Sequence, residues 1–272
     1  MQYDPIKRTL GTFFNSLPFL RIIFYKLLDW LFLRAWYVNR ELRKIAAEHS
    51  DQFEILDAGS GYGQYSYRMA KLFPKASIYS VDVKTEQIED CNQFFAQQGL
   101  SDRVKFDFAD LTKFTSDQKF DLILSVDVME HIVEDRAVLK NFYNVLSDDG
   151  LLLITTPSDA GDHDEEHGEH QASAAFVDEH VRDGYNIDEL KEKLATAGFT
   201  RVDVKFTYGK PGKLAWKLSM KWPIQVLNFS KVFFILLPFY YIVAYPIAAL
   251  LNYIDTKGEH TIGNGLLVKA RK

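Results

Sequence analysis

The sequence predicts an α/β fold built on a mostly parallel seven-stranded sheet with helices on both faces. From residue 53 to residue 208, short β-branched and apolar runs alternate with stretches of helical periodicity, the pattern of successive βαβ units. A glycine-rich turn follows the first run, as expected where a strand passes sharply into a helix. A chain of 272 residues, 47% of them apolar, can bury one substantial core around such a sheet.

The positions of the elements follow from these runs. Strands are expected at residues 53–57, 77–82, 103–108, 120–125, 150–155 and 200–207, and a seventh strand at the end of the chain, within 259–272. Helices are expected at residues 63–73, 85–98, 134–146 and 187–197. Asn186 is the expected start of the last of these helices, because Asp188 and Glu189 place acidic residues in its first turn.

Net charge and cysteine content narrow the classes of function. A formal net charge of -5 offers no basic field to hold a phosphate backbone, so nucleic acid is not an expected partner. Cys91 is the single cysteine, which excludes an internal disulfide and fits a reducing cytoplasmic compartment. The first residues lack a basic stretch leading into an unbroken apolar run, so no secretory signal peptide is expected.

An amphipathic helical segment is predicted at the N-terminus, residues 1–49. Between residues 19 and 47 apolar side chains recur at helical spacing and are interrupted by Arg21, Lys26 and Arg34, which favours one amphipathic helix over a membrane span. Two interpretations remain open. The helix covers the core of its own domain, or it lies at an interface and covers a substrate.

The composition changes in residues 209–258, which we interpret as an insertion before the last strand of a core that spans residues 50–208. Five lysines without an acidic residue are interleaved with Trp216 and Trp222, a combination that suits the lipid headgroup layer; they are Lys210, Lys213, Lys217, Lys221 and Lys231. An uncharged run, residues 232–254, follows and is long enough to cross a bilayer.

The last strand argues against a simple crossing by this run. It must rejoin the sheet, so both ends of the insertion lie on one side of any membrane. A re-entrant or surface-lying helical hairpin, with breaks at Pro238 and Pro246, is therefore the expected form. The alternative is a lid buried against the domain or in an oligomer interface.

The glycine-rich turn carries the most specific motif. Residues 57–63 read DAGSGYG, in which glycines let a ligand approach the backbone and the following helix offers free amide donors. The spacing is DxGxGxG, whereas GxGxxG is expected of a nicotinamide-binding turn. It resembles motif I of class I, Rossmann-like S-adenosylmethionine-dependent methyltransferases of the small-molecule or lipid type. The resemblance implies that Asp57, Gly59, Gly61 and Gly63 bind the cofactor, S-adenosyl-L-methionine.

Three further segments resemble the same family in the same order, and the resemblance covers residues 50–208. Asp82 ends the second strand, where a carboxylate can accept both hydroxyls of a ribose, although a nicotinamide enzyme would place an acid similarly. Asp110 resembles the family's adenine-binding acid, with a simple turn residue as the alternative. Residues 120–131, FDLILSVDVMEH, resemble the fourth strand and imply a cofactor role for Asp127. Residues 149–158 resemble the fifth strand.

His131 is the expected proton acceptor for methyl transfer to oxygen, because the ordinary pKa of histidine, about 6.5, suits proton removal near neutrality. A structural role against Glu130 or the cofactor is the alternative. No bound metal is expected, although His163, His167 and His170 lie in an acid-rich stretch that a metal hypothesis would use; a mobile flap is preferred there. Three more residues lie on a connection at the edge of the expected site: His180, Arg182 and Tyr185. They line the acceptor site, or the connection is purely structural.

The sequence thus predicts a methyltransferase acting on an apolar small-molecule or lipid-like acceptor, such as a lipid, a quinone-like ring or a polyene-type precursor. It is expected in the cytoplasm, peripherally or monotopically associated with the inner face of the membrane. A nicotinamide-dependent oxidoreductase and a non-catalytic membrane-binding module with the same fold are the alternatives. The acceptor atom is not determined by the motifs, because one fold serves many reactions.

Overall fold

The computed structural model describes residues 18–49, 52–161 and 181–272 and has an α/β, Rossmann-like architecture. Seven strands form one mixed sheet in the order β3-β2-β1-β4-β5-β7-β6, in which β7 is antiparallel to both of its neighbours. The strands are β1 (Glu54–Ala58), β2 (Ser77–Asp82), β3 (Val104–Phe108), β4 (Phe120–Val126), β5 (Leu146–Pro157), β6 (Arg201–Thr207) and β7 (Gly265–Arg271). The predicted seven-stranded, mostly parallel sheet is confirmed.

Helices cover both faces of this sheet, as its mostly apolar central strands require. One face packs against α2 (Leu33–Glu48), α3 (Gln64–Leu72) and α4 (Thr85–Gln97), and the other against α5 (Asp135–Val145) and α6 (Ile187–Ala197). Consecutive residues of β4 point into the two cores: Leu122 and Leu124 to the first, Ile123 to the second. Helix α6 starts as predicted, since the Asn186 side chain accepts from the Asp188 amide.

The N-terminal segment differs from the single helix expected. It forms α1 (Pro18–Leu31) and α2, separated by Phe32 in an extended conformation. The two helices bury different surfaces: Arg21 of α1 reaches the α4 region, where it donates to the Asp90 carbonyl, whereas Val38 and Leu42 of α2 enter the sheet core. A break at Phe32 allows one segment to serve both surfaces.

Strand β5 also starts earlier than expected, at Leu146 instead of residue 150. The pairing with β4 shifts register between Phe120 and Leu122, and Asp149 has a left-handed backbone conformation with φ 61°. An irregularity of this kind adds residues to a strand and leaves unchanged which side chains of its regular part face the core. Sequence periodicity therefore placed the buried part of β5 but not its irregular beginning.

The insertion is a helical hairpin. Its outgoing arm consists of α7 (Lys210–Trp216), a π-helical turn (Lys217–Lys221) and α8 (Trp222–Phe229); a 3-10 turn (Lys231–Ile235) leads to the return arm, α9 (Leu237–Lys257). Pro238 lies in the first turn of α9, but the expected break at Pro246 is wrong, because α9 continues through it. Proline removes one backbone donor, and the helical bonds before and after Pro246 hold the two halves of α9 together.

Helix α9 is, within the described residues, long and apolar enough by length and composition to cross a membrane. Only 17% of its apolar window is buried in the protein. Its base is nevertheless fixed to the domain: Asp255 is fully buried and accepts from the Tyr37 hydroxyl (2.6 Å) and the Gly212 amide (2.8 Å). The two arms of the hairpin and α2 are thereby joined at one carboxylate.

Candidate active site

The loop between β1 and α3 lies at the carboxyl edge of the sheet, where the strand order reverses between β1 and β4. In open α/β sheets this crevice is the usual ligand site. Gly59, Gly61 and Gly63 all have positive φ, at 83°, 52° and 76°. At Gly59 a Cβ would also lie 2.3 Å from a Val128 methyl carbon, whereas at Gly61 it would meet nothing within 4 Å. The backbone at Gly61 thus faces open space, as a ligand-binding turn requires.

Asp57 and Asp82, both predicted to bind the cofactor, hold this loop in place. The buried Asp57 carboxylate accepts from the Ser66 hydroxyl at the start of α3, and burial raises its pKa to about 7. Asp82 accepts from the Gly61 amide (2.8 Å) and the Lys84 amide (3.0 Å). Each oxygen of Asp82 retains lone-pair capacity for a further donor, so it can organise the turn and contact a ligand.

Asp110 has a local role in the structure. Its carboxylate accepts from the amide (2.9 Å) and hydroxyl (2.7 Å) of Thr112 and so caps a 3-10 turn, Leu111–Lys113. These hydrogen bonds hold the pKa of Asp110 below its ordinary value. Both contacts use one carboxylate oxygen of Asp110, so the turn role leaves the other oxygen for a ligand. The Ala109 amide donates to the Asp82 carbonyl (3.1 Å), which keeps the two acids on neighbouring strand ends.

Asp127 lies at the end of β4 in a left-handed conformation with φ 51°. Its carboxylate accepts from the Thr155 hydroxyl (2.8 Å) on β5 and forms an ion pair with Arg34 of α2. The Arg34 amide donates to the Tyr208 hydroxyl (3.0 Å), which ties the helix to the end of β6. The N-terminal segment thus contacts a predicted cofactor residue directly.

Glu130 and His131 follow on a 3-10 turn, Met129–His131. Glu130 is 1% exposed and accepts from the Thr156 hydroxyl (3.2 Å); burial, with a contribution from the Asp127 charge, raises its pKa to about 8. His131 is half-buried, and its amide donates to the Val128 carbonyl (3.0 Å). Two ionisable groups therefore lie near the carboxyl ends of β4 and β5.

A cavity of about 230 Å³ opens beside Asp127. The ends of β5 and β7 form its floor, α2 one wall, and α7 of the insertion its cover. Its lining residues include Arg34, Tyr37, Asp127, Thr155, Thr156, Ser158, Tyr208, Lys213, Trp216 and Asn264. His131 is not among the described residues that line it. The cavity is thus built jointly by the core, the N-terminal helices and the insertion.

The sequence predictions overlooked several residues of this site. The sequence pattern gives Arg34 only a place in a helix, and Thr155 and Thr156 only a place in a strand. A signal was present for the threonines, which interrupt the apolar run of β5 where it reaches the carboxyl edge of the sheet. The role of Arg34 depends on a contact between residues 93 positions apart, which local patterns do not encode.

The connection before α6 is chiefly structural where it is described. Tyr185 is 1% exposed, and its hydroxyl donates to Asp135 (2.8 Å), which also pairs with Arg182 and with Lys193 (2.8 Å). These contacts favour the structural interpretation of Arg182 and Tyr185. The other predicted residues of this region, His163, His167, His170 and His180, lie outside the described residues. Within the described ranges, no group of three metal-ligating side chains is found.

The strand order and the glycine-rich turn define a Rossmann-like protein with a ligand-binding loop after β1. The chain belongs to a methyltransferase family, since the family model described as "Methyltransferase domain" matches residues 49–199. It is 30% identical over 108 residues to (S)-coclaurine N-methyltransferase of Papaver somniferum, covering 40% of this chain and 30% of that protein. It is 31% identical over 106 residues to a ubiquinone biosynthesis O-methyltransferase of Parvibaculum lavamentivorans, covering 39% and 41%.

Solved structures show the same fold. Phosphoethanolamine N-methyltransferase 2 of Haemonchus contortus, in complex with S-adenosyl-L-methionine, superposes with a TM-score of 0.61 at 18% identity, covering 87% of this chain and 52% of that one. An S-adenosylmethionine-dependent methyltransferase from Mesorhizobium loti gives 0.54 at 16% identity, covering 86% and 96%. The two curated sequence relatives are matched over less than half of their own lengths.

Proposed function

We propose that the protein transfers the methyl group of S-adenosyl-L-methionine to an apolar small-molecule or lipid-like acceptor at a membrane surface. The observation that carries this proposal is the cavity beside Asp127, which Lys213 and Trp216 of the insertion cover. The residue after Asp127, Val128, packs against Gly59 of the glycine-rich loop in this member of a methyltransferase family. An acceptor that leaves a membrane along the insertion would therefore enter next to the cofactor loop.

The loop residues fit this cofactor. The open space at Gly61 admits a ligand against the backbone. Among the described residues, the Ser60 hydroxyl is buried within the loop without a hydrogen-bond partner, and a bound polar group would satisfy it. In the proposal the loop from Asp57 to Gly63 holds the amino-acid part of the cofactor. Asp82 accepts from the ribose hydroxyls, and Asp110 and Asp127 complete the cofactor-binding set.

When bound, the cofactor would supply a methyl group on a sulfonium; the acceptor atom would attack the methyl carbon in line, and the neutral thioether would leave with the electron pair of the broken carbon–sulfur bond. The chain's part is then to align the acceptor and, where the acceptor carries a proton, to remove it. Asp127 and Thr155 are placed to orient a polar acceptor end in the cavity. His131 remains the proposed base. Glu130 offers a second proton acceptor because its pKa, raised to about 8 by burial, lies near neutrality and its partner Thr156 lines the cavity.

The membrane part of the proposal is supported by the outer face of α9. Exposed apolar side chains recur there at helical spacing along the whole helix: Phe239, Ile242, Val243, Ile247, Leu250 and Ile254. The opposite face, with Ala244, Ala248 and Asn252, is buried against the protein. A stripe along the length of a helix suits a helix that lies in the membrane interface. We accordingly place the protein in the cytoplasm, monotopically associated with the inner face of the membrane.

Calorimetric titration with S-adenosyl-L-methionine and, separately, NADH tests the cofactor. We expect the wild type to bind the sulfonium compound only, and Asp82→Ala to weaken binding at least ~10-fold, since one bidentate, charge-assisted contact is worth more than about 1.4 kcal/mol. Asp107→Ala, which removes an exposed carboxylate from the neighbouring strand, serves as the control and should bind like the wild type.

Asp82→Asn separates the ligand contact from loop folding, because it retains one acceptor for the backbone amides. Circular dichroism should show that all variants are folded. Binding of NADH by the wild type, or unchanged S-adenosyl-L-methionine affinity in folded Asp82→Ala, would contradict the proposed cofactor site.

A further inference from the structure

A second cavity, of about 460 Å³, lies on the outside of the domain where α1, α2 and α3 meet α9. It is separate from the candidate active site and shares none of its lining residues. The lining residues are Lys26, Asp29, Trp30, Trp36, Asn39, Arg43, Arg68 and Tyr245. Three cationic side chains and one carboxylate give this cavity an excess of positive charge in a chain whose net charge is -5.

The carboxylate and one of the cations already have partners within the protein. Asp29 accepts from the Gln64 side chain (2.7 Å), and the Arg68 guanidinium donates to the buried Asn39 (3.2 Å). Lys26 and Arg43 are exposed, and no carboxylate of the described ranges lies within ion-pairing distance of either. Their charges are available to an anionic ligand.

Aromatic side chains form the edge of this cavity that lies next to α9. The rings of Trp30 and Tyr245 are 6.1 Å apart, and the Trp36 indole donates to the Trp30 carbonyl (3.1 Å). Trp30 is 53% exposed. Tryptophan and tyrosine are enriched where a protein meets the boundary between headgroups and acyl chains.

The position of the cavity relative to the apolar stripe identifies its ligand. Tyr245 lies three residues after Ile242 of the stripe and three before the buried Ala248, or about 60° from each around the helix, so it lies on the flank of α9. When the stripe rests in the membrane interface, this flank faces the headgroup layer beside it. The cations at Lys26, Arg43 and Arg68 then stand at the depth of lipid phosphates.

We propose that this cavity binds the phosphate-bearing headgroup of an anionic phospholipid in the membrane on which α9 lies. The proposal rests on the membrane part of the proposed function and is independent of methyl transfer. A stripe along one helix lets the protein roll about the helix axis. A headgroup held at the flank fixes the rotation, and with it the direction in which the cavity beside Asp127 faces the lipid.

Vesicle co-sedimentation tests this site with the full chain. The vesicles are phosphatidylcholine alone or phosphatidylcholine with one-fifth phosphatidylglycerol. Removing both free cations, in Lys26→Gln/Arg43→Gln, should weaken partitioning onto the anionic vesicles about 30-fold, from about 1 kcal/mol for each basic contact. Binding to neutral vesicles should stay unchanged. The matched control, Lys75→Gln/Lys105→Gln, removes two exposed charges elsewhere and should lose less than about 3-fold, because screening limits distant charges.

Four results would overturn the proposal in distinguishable ways. Equal losses in the two double variants would show diffuse attraction instead of a site. Wild-type binding to both vesicle types without preference would remove the anionic headgroup and leave the membrane association intact. Wild-type binding to neither would end this proposal together with the membrane part of the proposed function, whereas competition by millimolar inorganic phosphate would assign the cavity to a free anion.

Discussion

At the scale of single residues, the carboxyl edge of the sheet combines two acids of raised pKa with a charged pair. Burial raises the pKa of Asp57 to about 7 and that of Glu130 to about 8. Asp127 stays paired with Arg34. Acids that differ in environment can hold different protonation states near neutrality, which is a frequent property of catalytic sites.

A pH dependence of stability follows from Glu130. Its folded pKa is raised above the unfolded value, so the folded state binds a proton more tightly. The stabilising contribution is present below the unfolded pKa and is lost as pH rises through the folded value of about 8. Each such group contributes a slope of at most about 1.4 kcal/mol per pH unit in the free energy of unfolding.

Urea unfolding of the wild type and of Glu130→Gln between about pH 5 and 8.5 checks this pH dependence. The range covers the pH values over which Glu130 is expected to titrate. The glutamine, like the protonated acid, is uncharged, so the variant should lose stability less steeply with pH and be the more stable protein at the upper limit. Parallel profiles for the two proteins would show that Glu130 does not titrate in this range. Glu259→Gln, which changes an exposed glutamate directly after α9, is the control and should keep the wild-type slope.

At the scale of elements, the base of the hairpin depends on one buried carboxylate. Asp255 joins α2, α7 and α9, since it accepts from Tyr37 and from the Gly212 amide. Gly212 permits this approach: a Cβ there would lie 2.4 Å from a Leu33 methyl carbon and 2.7 Å from the Asp255 carboxylate. The apolar hairpin is therefore attached to the N-terminal helices as well as to the sheet.

Tyr37→Phe removes the hydroxyl that donates to the carboxylate (2.6 Å) and the backbone carbonyl (2.9 Å) of Asp255, and it leaves the bond from the Gly212 amide. We expect the free energy of unfolding to fall by about 1–3 kcal/mol, the cost of a lost hydrogen bond to a buried charged group. Limited proteolysis should also cut the hairpin sooner than in the wild type. Tyr253→Phe, on the exposed face of the same helix, should change neither measurement. Equal stability of Tyr37→Phe and the wild type would mean that Asp255 is held without α2.

Elements of regular periodicity were predictable from the sequence, and their interruptions were not. Strand β2 occupies the predicted residues 77–82, because its apolar pattern and its packing agree. The break at Phe32 and the continuity of α9 through Pro246 depend on what each helix contacts, which local sequence does not contain. In the candidate site, Asp82 could be placed at a strand end, whereas the partner of Asp127 could be found only from tertiary structure.

At the scale of the whole molecule, the active-site cavity, the cationic cavity and the apolar stripe share the same few helices. Helix α2 contributes Arg34 to the first cavity and Arg43 to the second, and α9 carries both the stripe and Tyr245. The proposed membrane contact and the proposed acceptor binding would therefore be structurally connected. Because large apolar patches on monomers mark interaction sites, we expect the exposed stripe to contact a membrane or another protein surface.

Deletion of residues 213–254, with a short glycine-serine bridge, tests the role of the hairpin. The deletion retains Gly212 and Asp255, which already contact each other, so the bridge spans a short distance and β7 can still join the sheet. We expect the full chain to bind phosphatidylcholine vesicles and the shortened chain to remain in the supernatant without detergent.

The shortened chain should keep its affinity for S-adenosyl-L-methionine, because the loop from Asp57 to Gly63 lies outside the deletion. It should lose turnover of apolar acceptors, because Lys213 and Trp216 cover the cavity in which we propose that they bind. A full chain that is soluble and does not bind vesicles would instead identify the hairpin as a lid or an oligomer contact. Light scattering would distinguish these two, since the deletion lowers the number of chains per particle only if the hairpin is an oligomer contact.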